Sequence, residues 1–314
     1  MPPCGRQPLA RPAAATAEEE GALTPEHNAR AAALRARMDV ARPALAMAAH
    51  NPLAARLAAE AGFDAVWGSG FELSASHAVP DASILHMGTH LEMMRAIGEA
   101  QDAPVVADLD TGFGSAVNVA YAVPRYAAAG VAAVVIEDKT FPKDSSLRPG
   151  GRQELVPLGE FQGKVEAAKA AGGVLVVART EALIAGLGQE EALRRGEAYA
   201  EAGADAVLVH SKQKTPDEIL AFCHGWPGHV PLVLVPTSYP RLSFADIAAS
   251  GKVGLVICGN HAIRAVVAAM RNVFRRILAE GGVAAVEGDI ASVAEVFALQ
   301  GDARMRELEK AYLR

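Results

Sequence analysis

The stretch Ala129-Gly130-Val131-Ala132-Ala133-Val134-Val135-Ile136-Glu137-Asp138-Lys139 contains the unit from which most of this chain is built. Glycine at a helix end adopts a left-handed backbone, so Gly130 predicts the end of a helix. The apolar run that follows is typical of a strand buried on both faces, and charged side chains begin where it stops. The same junction, Ala-Gly, two further residues and Ala, begins at Ala61 and at Ala202. The chain is therefore predicted to alternate helices with strands.

Apolar runs of this kind predict eight strands. They are Ala44–Ala48, Ala65–Trp67, Val105–Ala107, Ala132–Ile136, Val174–Ala178, Ala206–Val209, Leu232–Val235 and Val253–Ile257. Strands that alternate with helices form parallel sheets, and eight such units fit an α/β fold of the (β/α)8 TIM barrel type better than a doubly wound sheet. No GxGxxG or GxxxxGK[ST] motif is present, which argues against the nucleotide-binding sheet folds.

The two ends of the chain extend beyond what a barrel needs. Residues 1–26 are rich in Pro, Ala and Arg and lack the apolar core of a signal peptide, so we expect a disordered leader, with a short transit-type peptide as the alternative. Residues 27–314 are expected to form one barrel domain. An additional N-terminal helix is predicted around Glu26–Met38, and additional C-terminal helices at Ile290–Leu313 would pack locally or, swapped, on a neighbouring subunit.

Composition excludes several classes of partner. The formal charge of -6 argues against nucleic acid, which selects basic surfaces. No apolar run is long enough for a membrane span, so we expect no membrane contact. Three widely spaced cysteines without a CxxC motif suit neither a disulfide framework nor structural zinc, and the expected location is cytoplasmic. An anionic small-molecule substrate would need a local positive site.

Acidic side chains gather where predicted strands end. Asp108 and Asp110 follow the third strand, Glu137 follows the fourth, and Asp81 lies in the loop after the second. Alternation would place the first two on one side of an extended segment. Carboxylates this close require a cation, and an all-oxygen ligand set favours Mg²⁺ or Mn²⁺. The alternative is structural: Asp108 and Asp110 cap the next helix while Glu137 pairs with Lys139.

Cationic and hydroxyl groups follow the other strands. Arg179 and His210 end the fifth and sixth strands, and a guanidinium beside an imidazole suits a phosphoryl or phosphonyl oxygen. Alternatively, Arg179 pairs with Glu181 at the rim. Ser69 and Gly70 offer a hydroxyl and backbone N–H groups to a carboxylate, unless they only form a glycine-rich turn.

The loop Thr140–Pro157 is the longest connection, and its polar, glycine-containing sequence predicts an active-site lid after the fourth strand. A simple insertion without function is the alternative.

Three segments resemble the phosphoenolpyruvate mutase/isocitrate lyase superfamily. They are Trp67-Gly68-Ser69-Gly70-Phe71-Glu72, Asp108-Leu109-Asp110-Thr111-Gly112-Phe113-Gly114 and Glu137-Asp138-Lys139-Thr140-Phe141-Pro142-Lys143. The similarity extends from about Ala44 to the C-terminus. The lyases of this superfamily carry a cysteine in the loop after strand four, where this chain has Lys143-Asp144-Ser145-Ser146. That loop is similar to the Lys-Asp-Thr-Ser of the hydrolytic members, with Ser145 in place of Thr, rather than to the Lys-Thr-Asn-Ser typical of the mutases.

The resemblance implies a role for each site residue. Asp108 would bind the metal directly, and Asp81, Asp110 and Glu137 would hold it through water. The implied cofactor is Mg²⁺, with Mn²⁺ or Co²⁺ as substitutes. Substrate-binding residues would be Trp67, Ser69, Gly70, Phe71, Arg179 and His210. The catalytic set would be Ser145, His210, Arg179 and Lys143, of which Lys143 and Ser145 belong to the lid.

The implied activity is hydrolysis of the C–P bond of phosphonopyruvate to pyruvate and phosphate, through a Mg-stabilised pyruvate enolate. The alternative within the superfamily is the mutase reaction, which interconverts phosphonopyruvate and phosphoenolpyruvate. Cleavage of oxaloacetate or a related acid, and a catalytically silent barrel, are more distant alternatives. The superfamily also implies a homotetramer or homodimer with exchanged C-terminal helices.

Overall fold

The computed structural model describes residues 25–314, and nearly all of the predicted leader lies outside the described residues. Eight parallel strands close into a barrel in sequence order, β1 pairing with β8. They are β1 Ala44–Ala49, β2 Ala65–Gly68, β3 Val105–Asp108, β4 Ala133–Glu137, β5 Leu175–Thr180, β6 Ala206–Val209, β7 Leu232–Leu234 and β8 Val253–Cys258. The predicted barrel is confirmed, and each strand lies within two residues of its apolar run.

Helices surround the barrel and extend beyond it. They are α1 Pro25–Arg37, α2 Pro52–Glu60, α3 Gly70–Ser76, α4 Met87–Ala100, α5 Ala116–Ala128, α6 Leu158–Ala171, α7 Gly188–Glu201, α8 Asp217–Gly225, α9 Phe244–Ala249, α10 His261–Glu280, α11 Val293–Gln300 and α12 Asp302–Tyr312. The additional helices predicted at both ends are present as α1 and as α11 with α12. Across residues 25–314, no helix has the length and apolar character needed to cross a bilayer.

The repeated helix-to-strand junction has a common geometry. Gly62, Gly130 and Gly203 have φ values of 90°, 79° and 100°, the left-handed region that lets the chain turn from helix to strand. In two of the junctions an aspartate adds a side-chain bond. Asp64 accepts from the backbone N–H of Leu45 at 2.9 Å, and Asp205 accepts from that of Val176 at 2.8 Å. Each carboxylate thus links the start of its own strand to the preceding strand.

The barrel interior is filled largely by small side chains from β1 and its neighbours. Ala44, Ala46 and Ala48 all point into this interior cluster, together with aliphatic residues from the other strands. Trp67 at the end of β2 is a large member of the same cluster and is 3% exposed. The alanines leave room for its indole, so the tryptophan occupies the top of the core directly beneath the loops that follow the strands.

The C-terminal helices carry apolar side chains that no other part of residues 25–314 covers. Ile263 is the one buried residue of α10, and α11 and α12 contain no buried residue. On α10, Phe274 is 55% exposed and Leu278 is 85% exposed. Exposed apolar surface of this extent is typical of protein surfaces that contact another molecule.

Candidate active site

A cavity opens at the carboxyl ends of the strands, where TIM-barrel enzymes place their chemistry. It is lined by Trp67, Ser69, Phe71, Asp81, Asp108, Lys143, Ser145, Ser146, Leu147, Arg179, His210, Val235, Thr237, Gly259 and Asn260. Nine predicted site residues are among them. The other three, Gly70, Asp110 and Glu137, lie directly beside this wall, as the contacts described below show. The predicted set is therefore brought together by the fold.

The acidic residues converge because the ladder between β3 and β4 continues past the end of β3. Leu109 N donates to Val135 O at 2.9 Å, and Glu137 N donates to Asp110 O at 2.7 Å. In the next pair of strands Glu137 lies in register with Arg179. The register of the strands therefore brings acidic groups at the ends of β3 and β4 close to the guanidinium of Arg179 on β5.

Asp108 and Asp110 approach each other by a route that strand alternation does not provide. Asp110 lies beyond the end of β3 with φ of 51°, a left-handed conformation uncommon for a residue other than glycine. A methyl group placed on Gly70 would lie 2.9 Å from Asp110 Oδ1 and 3.5 Å from Asp108 Oδ2. Both carboxylates therefore face Gly70, where a larger residue would displace them.

Lys143 of the lid neutralises part of this acidic group. Its Nζ lies 2.9 Å from Asp81 Oδ1 and 2.5 Å from Asp110 Oδ1. Burial and the charges of its neighbours still raise the pKa of Asp110 to about 8, although Lys143 opposes that rise. Burial also raises the pKa of Asp108, with Glu137 and Asp81 adding to the effect. One ammonium group does not balance the negative charge gathered here.

The residues present fit a hard cation bound mainly through water. Among residues 25–314, no three Asp, Glu, His or Cys side chains are close enough together to ligate a metal as a cluster. A cation with one direct protein ligand does not need such a cluster, because Mg²⁺ usually keeps several of its waters. Glu137 Oε1 is a buried carboxylate oxygen with no hydrogen-bond partner, and so could accept from such a water. The roles of Asp108, Asp81, Asp110 and Glu137 as metal-binding residues stay a prediction.

The structural alternatives for the acidic residues are wrong. Helix α5 begins at Ala116, and its cap is formed by Ser115 and Asn118 rather than by Asp108 or Asp110. Glu137 lies 3.3 Å from Arg179 Nε, whereas Lys139 pairs with Glu181 at 3.2 Å.

Arg179 makes the contacts that hold the opposite wall of the cavity. Its Nε donates to Glu181 Oε1 at 2.6 Å, so the predicted alternative, in which Arg179 pairs with Glu181, is confirmed. Arg179 nevertheless also lines the cavity. Its Nη2 donates to Ser146 Oγ at 3.1 Å and to His210 Nδ1 at 3.2 Å. The guanidinium is thereby fixed by contacts with β5, the lid and the end of β6.

The hydrogen bond from Arg179 determines the tautomer of His210. A guanidinium can only donate, so Nδ1 of the neutral imidazole accepts and its proton resides on Nε2. Nε2 is buried without a protein partner, and His210 lines the cavity. Burial lowers the pKa of His210, and the nearby Arg179 charge acts in the same direction against Glu181. His210 therefore offers a neutral N–H donor to a bound ligand.

Glu181 was not among the predicted site residues. It is fully buried two residues after Arg179, and its carboxylate contacts Arg179, Lys139 and the Ser146 hydroxyl. The motif Arg179-Thr180-Glu181 gave a signal, because it places an acid beside the guanidinium at a strand end. In the sequence analysis, Glu181 was considered only as a structural partner of Arg179, that is, as the alternative to a functional role for Arg179.

The lid lies over the cavity and is held from within. Ser145 and Ser146 are buried and line the cavity. Burial acts to raise the pKa of the neighbouring Asp81, but the Lys143 charge, with smaller contributions that include Ser145, lowers it overall. Asp144 instead bonds within the loop, accepting from Arg152 N at 2.8 Å. The loop Thr140–Pro157 thus carries the contacts expected of a lid.

Ser69 has two structural contacts in addition to its place on the cavity wall. Its hydroxyl caps α3 by accepting from Glu72 N at 3.2 Å and donates to Gly259 O at 3.3 Å. The first residue of α3 is Gly70. Trp67 and Phe71 contribute apolar walls on either side. Binding of a substrate carboxylate at Ser69 and Gly70 stays a prediction.

Comparison with known proteins gives one family for nearly the whole chain. The family model described as phosphoenolpyruvate phosphomutase matches residues 34–278. Phosphonopyruvate hydrolase from Variovorax sp. (strain Pal2) is 65% identical over 285 residues, covering 90% of this chain and 98% of that protein. Phosphoenolpyruvate phosphomutase from Tetrahymena pyriformis is 42% identical over 270 residues, covering 85% and 90% of the two chains.

A solved structure agrees with the sequence comparison. The crystal structure of phosphonopyruvate hydrolase in complex with oxalate and Mg²⁺ matches with a TM-score of 0.86 and 62% identity, covering 91% of this chain and 99% of that chain. The barrel of this chain is therefore similar to one that has been observed by crystallography.

Proposed function

Because this chain belongs to the phosphoenolpyruvate phosphomutase family, we propose on the strength of its site that it hydrolyses the C–P bond of phosphonopyruvate, yielding pyruvate and phosphate. The observation that carries this proposal is the lid: Ser145 contributes a hydroxyl to the same cavity that Arg179 and His210 line. The 65% identity to a phosphonopyruvate hydrolase, against 42% to a phosphomutase, supports the hydrolytic reaction over the mutase reaction.

Mg²⁺ is the cofactor of the proposed reaction, and its positive charge beside Asp108 would favour the negative oxygen that develops as the C–P bond breaks. The residues that would hold it are Asp108, with Asp81, Asp110 and Glu137 around it. The raised pKa values of Asp108 and Asp110 support this, because burial and, secondarily, the neighbouring carboxylates raise them, and a second cation would favour the charged forms.

Arg179 and His210 bind the phosphonyl group. The guanidinium is charged at all working pH values, and His210 Nε2–H donates a second hydrogen bond from a fixed direction. Their combined effect is to neutralise the oxygens around phosphorus, which is the main protein contribution to phosphoryl transfer. Ser69 and the backbone beside Gly70 receive the carboxylate at the other end of the substrate.

Ser145 orients the attacking water. Ser145 and Asp81 line the same cavity, and the lone pairs of the Ser145 hydroxyl can accept a hydrogen bond from water. As a water oxygen bonds to phosphorus, the C–P bond breaks and its electron pair passes to the pyruvate enolate. The proton released from water balances the one that the enolate carbon takes up, giving pyruvate and phosphate.

The test is to incubate the protein with phosphonopyruvate and Mg²⁺ and to follow ³¹P signals with time. Inorganic phosphate in step with pyruvate is the expected result. Accumulation of phosphoenolpyruvate would assign the mutase reaction instead, and pyruvate released without phosphate would assign neither. Removing the metal with EDTA supplies the matched control.

We also propose that the chain forms a homodimer or homotetramer through α10, α11 and α12. The exposed apolar residues of these helices, Phe274 and Leu278 among them, support a second copy as their partner. Truncation after Gly281, which removes α11 and α12, should reduce the number of subunits per particle measured by light scattering, and an unchanged number would place the interface elsewhere. The cytoplasm is the proposed location, supported by Cys223 and Cys258, which are both free cysteines within residues 25–314.

A further inference from the structure

One carboxylate outside the predicted site contacts both the substrate-binding cations and the lid. Glu181 Oε1 accepts from Arg179 Nε at 2.6 Å. Its Oε2 accepts from Ser146 Oγ and lies 3.2 Å from Lys139 Nζ. The two oxygens of a single buried side chain thus face different parts of the enzyme.

The backbone of Glu181 is held in position by the buried residue Asp138. Its backbone N–H donates to Asp138 Oδ1 at 2.8 Å, and Asp138 in turn accepts from Tyr199 OH at 2.7 Å. Both acidic residues are fully buried. Because the support is rigid, a change in the partners of Glu181 must be taken up by the lid or by Arg179.

Ser146 joins the two groups that Glu181 holds. Its hydroxyl accepts from Lys139 Nζ at 2.7 Å and from Arg179 Nη2 at 3.1 Å while it donates to Glu181. These contacts require the lid to be closed, since Ser146 is part of it. The same Arg179 Nη2 donates to His210 Nδ1 and keeps the imidazole proton on Nε2.

We propose that Glu181 is a positioning residue that couples closure of the lid to the alignment of Arg179 and His210. With the lid closed, Glu181 and Ser146 hold the guanidinium so that Nη2 reaches His210, whose Nε2–H then faces the substrate. This inference rests on the proposed function for its catalytic consequence, but the arrangement itself is independent of the reaction. Arg179 and Ser146 donate to Glu181 and Lys139 forms an ion pair with it, so an amide in its place must direct its NH2 group at a donor or a cation.

The first experiment measures the alignment without turnover. In protein labelled with ¹⁵N-histidine, the His210 resonances, assigned with His210→Asn, should show a proton on Nε2 and none on Nδ1. In Glu181→Gln the Nδ1–H tautomer should become populated. Glu72→Gln is the matched control, because Glu72 is equally buried but bonds to His50 and to Ile263 N. An unchanged His210 spectrum in Glu181→Gln overturns the proposal.

The second experiment measures lid closure and its coupling to catalysis. With oxalate and Mg²⁺ present, trypsin should cleave after the exposed Arg152 at least tenfold faster in Glu181→Gln than in the wild-type protein or Glu72→Gln. For phosphonopyruvate hydrolysis, Glu181→Gln and Ser146→Ala should each lower kcat about 10–100-fold, and the double variant should lose no more than the worse single one.

Multiplied losses in the double variant would mean that the two residues act independently, contrary to the proposal. If the wild-type protein releases no phosphate at all, the proposed function fails, while the tautomer and proteolysis measurements still decide the role of Glu181.

Discussion

Replacing Arg179 with lysine tests whether the guanidinium geometry, rather than its charge, is what the site requires. Lysine keeps the positive charge but offers its donors from a single nitrogen. In the structure the guanidinium uses two nitrogens: Nε reaches Glu181 at 2.6 Å, and Nη2 reaches Ser146 at 3.1 Å and His210 at 3.2 Å. An ammonium held by Glu181 loses the bonds to Ser146 and His210 together.

The magnitude follows from those two bonds. A hydrogen bond from a charged donor contributes about 1.5–3 kcal/mol, so two of them amount to roughly 3–6 kcal/mol. At about 1.4 kcal/mol for each factor of ten, kcat/KM for phosphonopyruvate should fall by about 10²–10⁴-fold. The free energy of unfolding should change by only about 1 kcal/mol, because the buried carboxylates keep a cation beside them.

The assay couples pyruvate release to lactate dehydrogenase and follows NADH oxidation, with thermal unfolding measured on the same samples. A folded Arg179→Lys enzyme that retains kcat/KM within fivefold of wild type would refute this reasoning, because it would show that a point charge suffices.

Three further outcomes are expected. Asp108→Asn should weaken Mg²⁺ binding by at least about 10²-fold in calorimetric titration, and unchanged affinity would remove it from the metal site. Ser145→Ala should lower kcat by up to about 10²-fold while Mg²⁺ affinity stays constant, whereas full activity would exclude Ser145 from orienting water. Although burial opposes it, hydrogen bonds from Lys169, the Val176 N–H and Arg35 lower the pKa of Asp205. Its stabilisation is therefore present above the unfolded-state pKa of about 3.9 and lost as pH falls through the lower folded value. Asp205→Asn should cost about 1–3 kcal/mol in denaturant unfolding at pH 7 and much less near pH 3, and an equal cost at both would contradict this.

The barrel could be predicted because its signals are local. Continuous apolar runs identify buried parallel strands, and the junction glycines mark where helices end, so the strand ends followed directly from the sequence. Once the ends were known, the shared edge of a closed barrel brought Asp108, Glu137, Arg179 and His210 together. The lid was predicted from the length of the loop, its position after the fourth strand and its polar, glycine-containing sequence.

The details of the site depend on contacts between distant segments, which no local pattern encodes. The left-handed conformation of Asp110 is compatible with the close approach at Gly70, and not with the strand alternation that the sequence suggested. The ion pairs of Lys143 with Asp81 and Asp110 require the lid to be folded over the barrel. Glu181 was treated as a competitor for Arg179, because a sequence cannot show that one carboxylate serves two partners.

The interior alanines of β1 affect how substrate range can change in this enzyme. Trp67 lines the active-site cavity and is also part of the hydrophobic core beneath it. Shortening it to accept a bulkier substrate would also leave a void among the alanines, at a cost of about 3–5 kcal/mol for a large aromatic side chain. A broader substrate range would therefore require larger side chains at Ala46 or Ala48 to fill that void. The depth of the active-site cavity and the stability of the barrel would then change together.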